Sequence, residues 1–237
     1  MFKIKLYRAI DDPELCEKFI VGHRHVLENI GIMKVTSSNN EWMHNPNVYV
    51  LIVLDTESDR VLGGARVHIA SPDNRLPMEE ATKKLDPTVP ALIDQYTEDG
   101  TGEICGLWNS REVAGMGIGA VFLTRAAVVA AAQIGLTSLF ALCAPYTVKM
   151  AENVGYEVER SIGNDGTFYY PKLDLLATFM ILKDVQILSK ASEDEYAAIM
   201  ELRKQPDAER IEKHRKREVH LYYQLALPME HNSTLNK

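Results

Sequence analysis

The sequence predicts a mixed α/β fold, and three observations carry the prediction. Short β-rich runs alternate with stretches of helical period. One long stretch, residues 117–134, is rich in Ala, Val and Leu on nearly all sides, as a helix packed inside a protein must be. Between a strand-like run and that helix lies Arg111-Glu112-Val113-Ala114-Gly115-Met116-Gly117-Ile118-Gly119-Ala120. With 237 residues and 46% hydrophobic content, the chain can bury a full core as one large domain or as a domain with an appendage.

The first strand is expected at residues 2–6, where apolar and basic residues alternate. Asp12 and Pro13 suit the cap and first position of a helix whose apolar residues recur up to Gly31. Residues 47–54 and 61–70 are β-rich and should pair antiparallel across the polar connection 55–60. A Pro-punctuated insert, 71–100, carries helical stretches at 77–85 and 91–96. A strand over 103–109 then enters the glycine segment. Beyond the long helix come a buried strand at 137–143, a short helix at 146–154, and strands at 156–161 and 174–182. From a capping-box pattern at Ser192 to Glu195, the rest through Leu227 reads as one or two helices interrupted near Pro206. Residues 229–237 form a polar, loose tail.

Net charge is −7 and the basic residues are scattered, apart from Lys213-His214-Arg215-Lys216-Arg217, so no nucleic-acid footprint is expected. That run is most simply a solvated helix face, with phosphate or carrier-protein binding as the alternative. Cys16, Cys105 and Cys143 are odd in number and lie in apolar surroundings; with no secretory leader this fits reduced thiols in a cytoplasmic protein. The apolar run 126–142 is broken by polar residues and reads as helix then strand, not as a membrane span. No metal ligand set is assigned.

Three glycines at alternate positions let several backbone N–H groups converge, and the following helix adds its positive end, so the segment suits a di- or pyrophosphate. A nucleoside-triphosphate loop needs Gly-Lys-Ser/Thr, and here Gly119 is followed by Ala120 and Val121. A dinucleotide fingerprint needs G-x-G-x-x-G, and the spacing here is G-x-G-x-G. A glycine-rich turn without a ligand also fits. The remaining reading is a resemblance: Gly115-Met116-Gly117-Ile118-Gly119 is similar to the pyrophosphate loop of the GNAT acyltransferases, although Glu112 stands where that family usually has Gln or Arg.

The order of elements over residues 1–185 resembles the same family, and Asn153-Val154-Gly155-Tyr156 resembles the Gly-Phe/Tyr that follows the family's fourth helix. The resemblance implies a mainly antiparallel central sheet flanked by helices, with a splayed strand pair that receives an acyl thioester. A helical extension over 186–228 would follow. It implies that Leu107, Trp108 and Asn109 supply the edge of the splay. Val113, Ala114, Gly115, Met116, Gly117, Ile118, Gly119 and Ala120 would supply the pyrophosphate contacts.

The common acetyltransferases carry a Tyr four residues before the Gly of Gly-Phe, as acid for the leaving thiolate; here that position is Ala151. A narrower resemblance, to acyl-homoserine-lactone synthases and N-acyl amino acid synthases, rests on Arg24 in His-Arg-His-Val-Leu, Val48-Tyr49-Val50, Gly63-Gly64-Ala65-Arg66-Val67 and Glu103-Ile104-Cys105. Arg66 and Glu103 match residues the lactone synthases need. This implies catalytic roles for Glu103 and Arg66, and substrate contacts for Arg24, Trp42 and His68. Glu103 can take the proton of an attacking ammonium. Arg66 can pair with Glu103 or hold a substrate carboxylate, and a purely structural ion pair fits as well. His68 shares a strand face with Arg66 and is an alternative base. Tyr146 is a possible displaced acid, or simple packing, and Cys143 reads as an inert core thiol.

The lactone synthases carry acidic residues before the second strand, where Asn39 to Asn45 keep only Glu41, and an Arg where this chain has Gly106. An amino acid or other small amine is therefore the expected acceptor, rather than adenosyl-methionine. The donor would be a fatty acyl group on acyl carrier protein or coenzyme A as co-substrate, with no permanently bound cofactor and no covalent enzyme intermediate. Met33, Trp42, Met43, Trp108 and Met116 could line an acyl pocket or belong to the core. An acetyl-CoA-dependent acetyltransferase and a non-catalytic acyl-CoA sensor are the alternatives.

Overall fold

The computed structural model describes residues 1–29, 31–32 and 40–228. The expected tail 229–237 and Met33 lie outside the described residues. Among the described residues ten strands form one sheet: β1 (Phe2–Arg8), β2 (Val48–Asp55), β3 (Val61–Ile69), β4 (Thr101–Asn109), β5 (Ser138–Cys143), β6 (Glu157–Val158), β7 (Thr167–Tyr169), β8 (Leu176–Leu182), β9 (Asp207–His214) and β10 (Arg217–Gln224). The order is β6-β8-β5-β4-β3-β2-β1-β10-β9, with β7 also paired to β8. Pairing is antiparallel except between β4 and β5 and between β1 and β10.

Helices cover both faces: α1 (Pro13–Asn29), α2 (Pro77–Thr82) and α3 (Val89–Thr97) on one, α4 (Leu123–Ile134) and α6 (Glu193–Lys204) on the other, with α5 (Pro145–Asn153) beside β5 and β8. Every residue of α4 from Leu123 to Ala131 is buried, in keeping with its apolar sequence. No helix among the described residues is long and apolar enough to cross a membrane.

Three expectations need correction. The C-terminal region supplies one helix, α6, capped by Ser192 Oγ, which accepts from Glu195 N. Its second half is the β9–β10 hairpin and not a helix. Pro206 stops α6, and Val219, Leu221 and Tyr223, two apart, are all buried, the period of a strand. Their strand pairs parallel to β1 and covers what would otherwise be a sheet edge. The strand expected at 156–161 shrinks to two residues, and β7 forms in the connection that follows. The long helix opens as a π-helical turn, Ile118–Phe122, before becoming α-helical.

The sheet opens where the resemblance implies. β4 and β5 are in register only from Thr101 with Ser138 to Ile104 with Ala141, although β4 runs on to Asn109 and β5 to Cys143. Beyond that point the two strands part. On the other side of β4, Gly64 faces Trp108 and Arg66 faces Cys105, so Ala65 alone opposes both Gly106 and Leu107. This is a β-bulge, and Gly106 holds it at φ +58°, in the left-handed region.

Candidate active site

A cavity of about 220 Å³ fills the gap between the parted strands. β4 contributes Glu103 to Leu107, β5 and its end Ala141 to Ala144, and α1, α2 and α5 close the sides. Glu103 is its acid. The side chain is 2% exposed, and Oε2 accepts the Met78 N–H from α2 at 2.8 Å. Burial pushes the carboxyl up to about 8; the Met78 N–H and the Arg66 cation pull the other way.

Arg66 is fully buried behind β4 and does not line the cavity. Its guanidinium carbon lies 4.4 Å over the Trp42 ring and 5.6 Å from that of Phe19, which replaces hydration by aromatic faces. A Cβ on Gly106 would come within 3.1 Å of Nε and Nη2, so the absent side chain is what lets the cation lie under the bulge. Arg66 therefore acts on the cavity as a charge one layer away, and Trp42 is its cover.

His68 faces Glu103 directly across β3 and β4 yet stays outside the cavity lining. Burial, with Arg66 nearby, holds it well below the usual imidazole range, and Nε2 has no hydrogen-bond partner among the described residues. Arg24 lies exposed on α1, away from the cavity. Its neighbour His23 takes that place: it lines the cavity, stacks on Trp108 with ring centroids 6.4 Å apart, and is pushed down to about 4 by burial and by Arg66. One residue of helical phase separates the two.

The glycine segment divides into anchors and open amides. Val113 and Ile118 are buried in the core, and Asn109 Nδ2 donates to the Ser110 carbonyl at 2.9 Å. Ala114 N–H donates to Arg111 O, Met116 N–H to Val113 O and Ala120 N–H to Gly117 O, at 3.2 to 3.4 Å. The amides of Gly115, Gly117, Ile118 and Gly119 have no partner among the described residues. Gly115 and Gly117 adopt φ +73° and +81°, which an ordinary side chain resists. Gly119 serves packing: a Cβ there would lie 2.0 Å from Asn109 Cβ, so its absence lets the helix start abut β4. Glu112 is paired with Arg60 from the β2–β3 connection, which offsets its negative charge beside the loop.

Sequence reasoning missed Tyr156 and Tyr170, which line the cavity with Ala151, Tyr146 and Met150. Tyr156 N–H donates to Ala151 O at 3.1 Å, and its buried hydroxyl has no hydrogen-bond partner among the described residues. A Tyr after Gly reads as core in a sequence, and only the parting of β4 from β5 makes it a wall. Cys143 also lines the cavity, and burial pushes its thiol up to about 11, an inert setting.

No protein-family model and no curated protein sequence matches the chain. Solved structures do. FeeM, an N-acyl amino acid synthase from uncultured soil microbes, is similar at a TM-score of 0.61 and 13% identity, over 83% of this chain and 98% of that one. MesI, a CoA-dependent acyl-homoserine lactone synthase, is similar at 0.57 and 16%, over 83% and 95%. An acyl-CoA N-acyltransferase from Pseudomonas aeruginosa is similar at 0.53 and 11%, over 76% and 99%. At such identities a likeness is one of architecture. The chain has the GNAT-like fold: a central mixed sheet flanked by helices, parted between β4 and β5.

Proposed function

We propose that this protein is an N-acyltransferase that moves an acyl group from a thioester to a primary amine by direct attack. The observation that carries the reading is the open wedge between β4 and β5, with Glu103 in its wall and the unpartnered amides of the glycine loop following β4. The donor's diphosphate lies on the amides of Gly115, Gly117, Ile118 and Gly119, and its thioester enters the wedge. The amine attacks the carbonyl carbon, and Glu103 takes a proton from the nitrogen as the C–N bond forms. Backbone N–H groups at the Gly106–Leu107 bulge, with the Arg66 charge behind them, stabilise the oxyanion. The intermediate then expels the thiolate, which gains a proton to leave as thiol, and the amide is the product.

Coenzyme A is the donor carrier we favour, because two of the similar structures bear acyl-CoA or CoA-dependent names; an acyl carrier protein is the alternative. We favour an acyl group longer than acetyl, because the cavity of about 220 Å³ is lined largely by apolar side chains such as Leu27, Ile104, Leu107 and Leu142, and an amino acid or a related small amine as acceptor. Native mass spectrometry of the purified protein, followed by incubation with acyl-CoA of several chain lengths and an amine panel, tests this. Acyl-amine product is expected; thioester binding with no product from any donor would instead make the domain a non-catalytic sensor.

A further inference from the structure

The basic run 213–217 forms the turn of the β9–β10 hairpin, and the fold brings that turn to the glycine loop. His214 is seated on Gly117: a Cβ there would lie 2.8 Å from His214 Cβ and Cγ, and the His214 ring meets Phe122 edge to face at 6.5 Å. Arg217 is the cross-strand partner of His214, and Arg215 is its neighbour in the chain.

This placement is held rigidly. Arg125, in the first turn of α4 just past the loop, grips Glu195 of α6 through Nε (2.9 Å) and Nη2 (3.1 Å). Its Nη1 donates to Glu212 of β9 at 2.7 Å, and Tyr223 Oη of β10 donates to the same carboxylate at 2.8 Å. The four side chains are almost wholly buried or nearly so, and together they fix the hairpin to the helix that carries the loop.

Lys213 is paired with Glu218 at 3.0 Å, whereas Arg215, Lys216 and Arg217 are exposed and pair with no carboxylate among the described residues. Three adjacent cations repel one another, which costs stability in a chain whose net charge is −7. An anion beside the loop offsets that cost.

We infer that the β9–β10 turn is the subsite for a second phosphate of the donor, a phosphomonoester such as the ribose 3′-phosphate of coenzyme A. The inference rests on the acyl-donor reading above, since it takes the diphosphate to lie on the glycine loop. Arg215 and Arg217 supply two-pronged donors to the phosphate oxygens, Lys216 adds a point charge, and His214 sets the distance from turn to loop.

The test is equilibrium binding of coenzyme A and of 3′-dephospho-coenzyme A to the wild type and to a triple variant, Arg215→Asn, Lys216→Ser, Arg217→Thr. Asn suits position 215 because φ there is +56°. Charge-assisted contacts of this kind predict that the wild type prefers coenzyme A by about tenfold, and that the preference shrinks with added salt. The triple variant should bind both ligands equally, at the wild-type affinity for the dephospho form. Equal wild-type affinities, or a preference that survives in the variant, overturn the subsite while leaving the loop's role intact. Binding of neither ligand overturns the donor reading beneath it. A variant slowed only with an acyl carrier protein as donor, with equal affinities for both small ligands throughout, overturns the subsite in favour of protein docking.

Discussion

Met78 N–H donates to Glu103 Oε2 at 2.8 Å, tying the acid of the β4–β5 wedge to the first turn of α2. The bond uses one carboxyl oxygen and holds the side chain in a single orientation at the cavity wall. The same burial that orients Glu103 raises its pKa to about 8.

A base needs its ionised form. Activity should therefore rise with pH through a transition near 8, and kcat/KM of the free enzyme reports it. Glu103→Gln should remove the transition and lower kcat/KM by about 100-fold or more, while thioester affinity stays within about twofold. A wild-type profile flat from pH 6 to 9 would count against Glu103 as the base.

The same group sets a stability trend. Its folded pKa lies above the unfolded one, so the folded state binds the extra proton between the ordinary carboxylate range and about 8, and wild-type stability falls as pH rises through that window. Glu103→Gln should flatten the fall. Urea unfolding at pH 5 and pH 9 should show the variant gaining on the wild type by on the order of 1–3 kcal/mol at the higher pH. An equal difference at both pH values would contradict the burial argument.

Two glycines of the loop should respond differently to Ala. Gly119→Ala meets Asn109 Cβ at 2.0 Å, an atom that cannot swing aside without moving β4, and should cost about 2 kcal/mol or more. A Cβ on Gly115 meets nothing within 4 Å, so only its φ of +73° resists, at a cost of about 1 kcal/mol. Thermal or urea unfolding checks the order; Gly115→Ala as the more damaging change would reverse the assignment of packing and ligand roles.

Arg125→Met leaves Glu195 and Glu212 without their cation in a nearly dry setting, which should cost about 3–5 kcal/mol. Hydrogen exchange should then quicken in β9 and β10 before it does in β2 and β3. Uniform loss of protection would mean that the hairpin is not anchored through this network.

Much of the fold was legible because it is written in local patterns. The β-rich runs of β2 and β3, the Pro13 start of α1 and the Ser192 cap of α6 all stand where the sequence puts them. The glycine segment was legible for a backbone reason, the need for left-handed φ at Gly115 and Gly117. The β9–β10 hairpin was not. β9 is mostly charged, with Ile211 exposed and only Ala208 buried, so the strand period shows in Val219, Leu221 and Tyr223 of β10, and the register depends on an edge of β1 far away in sequence.

In the site, Glu103 was legible as an acid on the strand before the loop, and the structure sets it in the cavity. Arg66 lies behind that wall, because the approach to Gly106 depends on the bulge, a register feature that composition does not record. His23 in place of Arg24 is a matter of helix phase set by Trp108 against Gly22, a contact between residues far apart in the chain.

Direct acyl transfer with Glu103 as base stands or falls on amine-dependent release of free thiol from acyl-coenzyme A, followed for the wild type and Glu103→Gln together. The wild type should release thiol only when an amine is present and convert that amine to its N-acyl amide, with release nearly abolished in the variant although it still binds the thioester. Equal release by both proteins, or none by the wild type with any donor and amine, would contradict it.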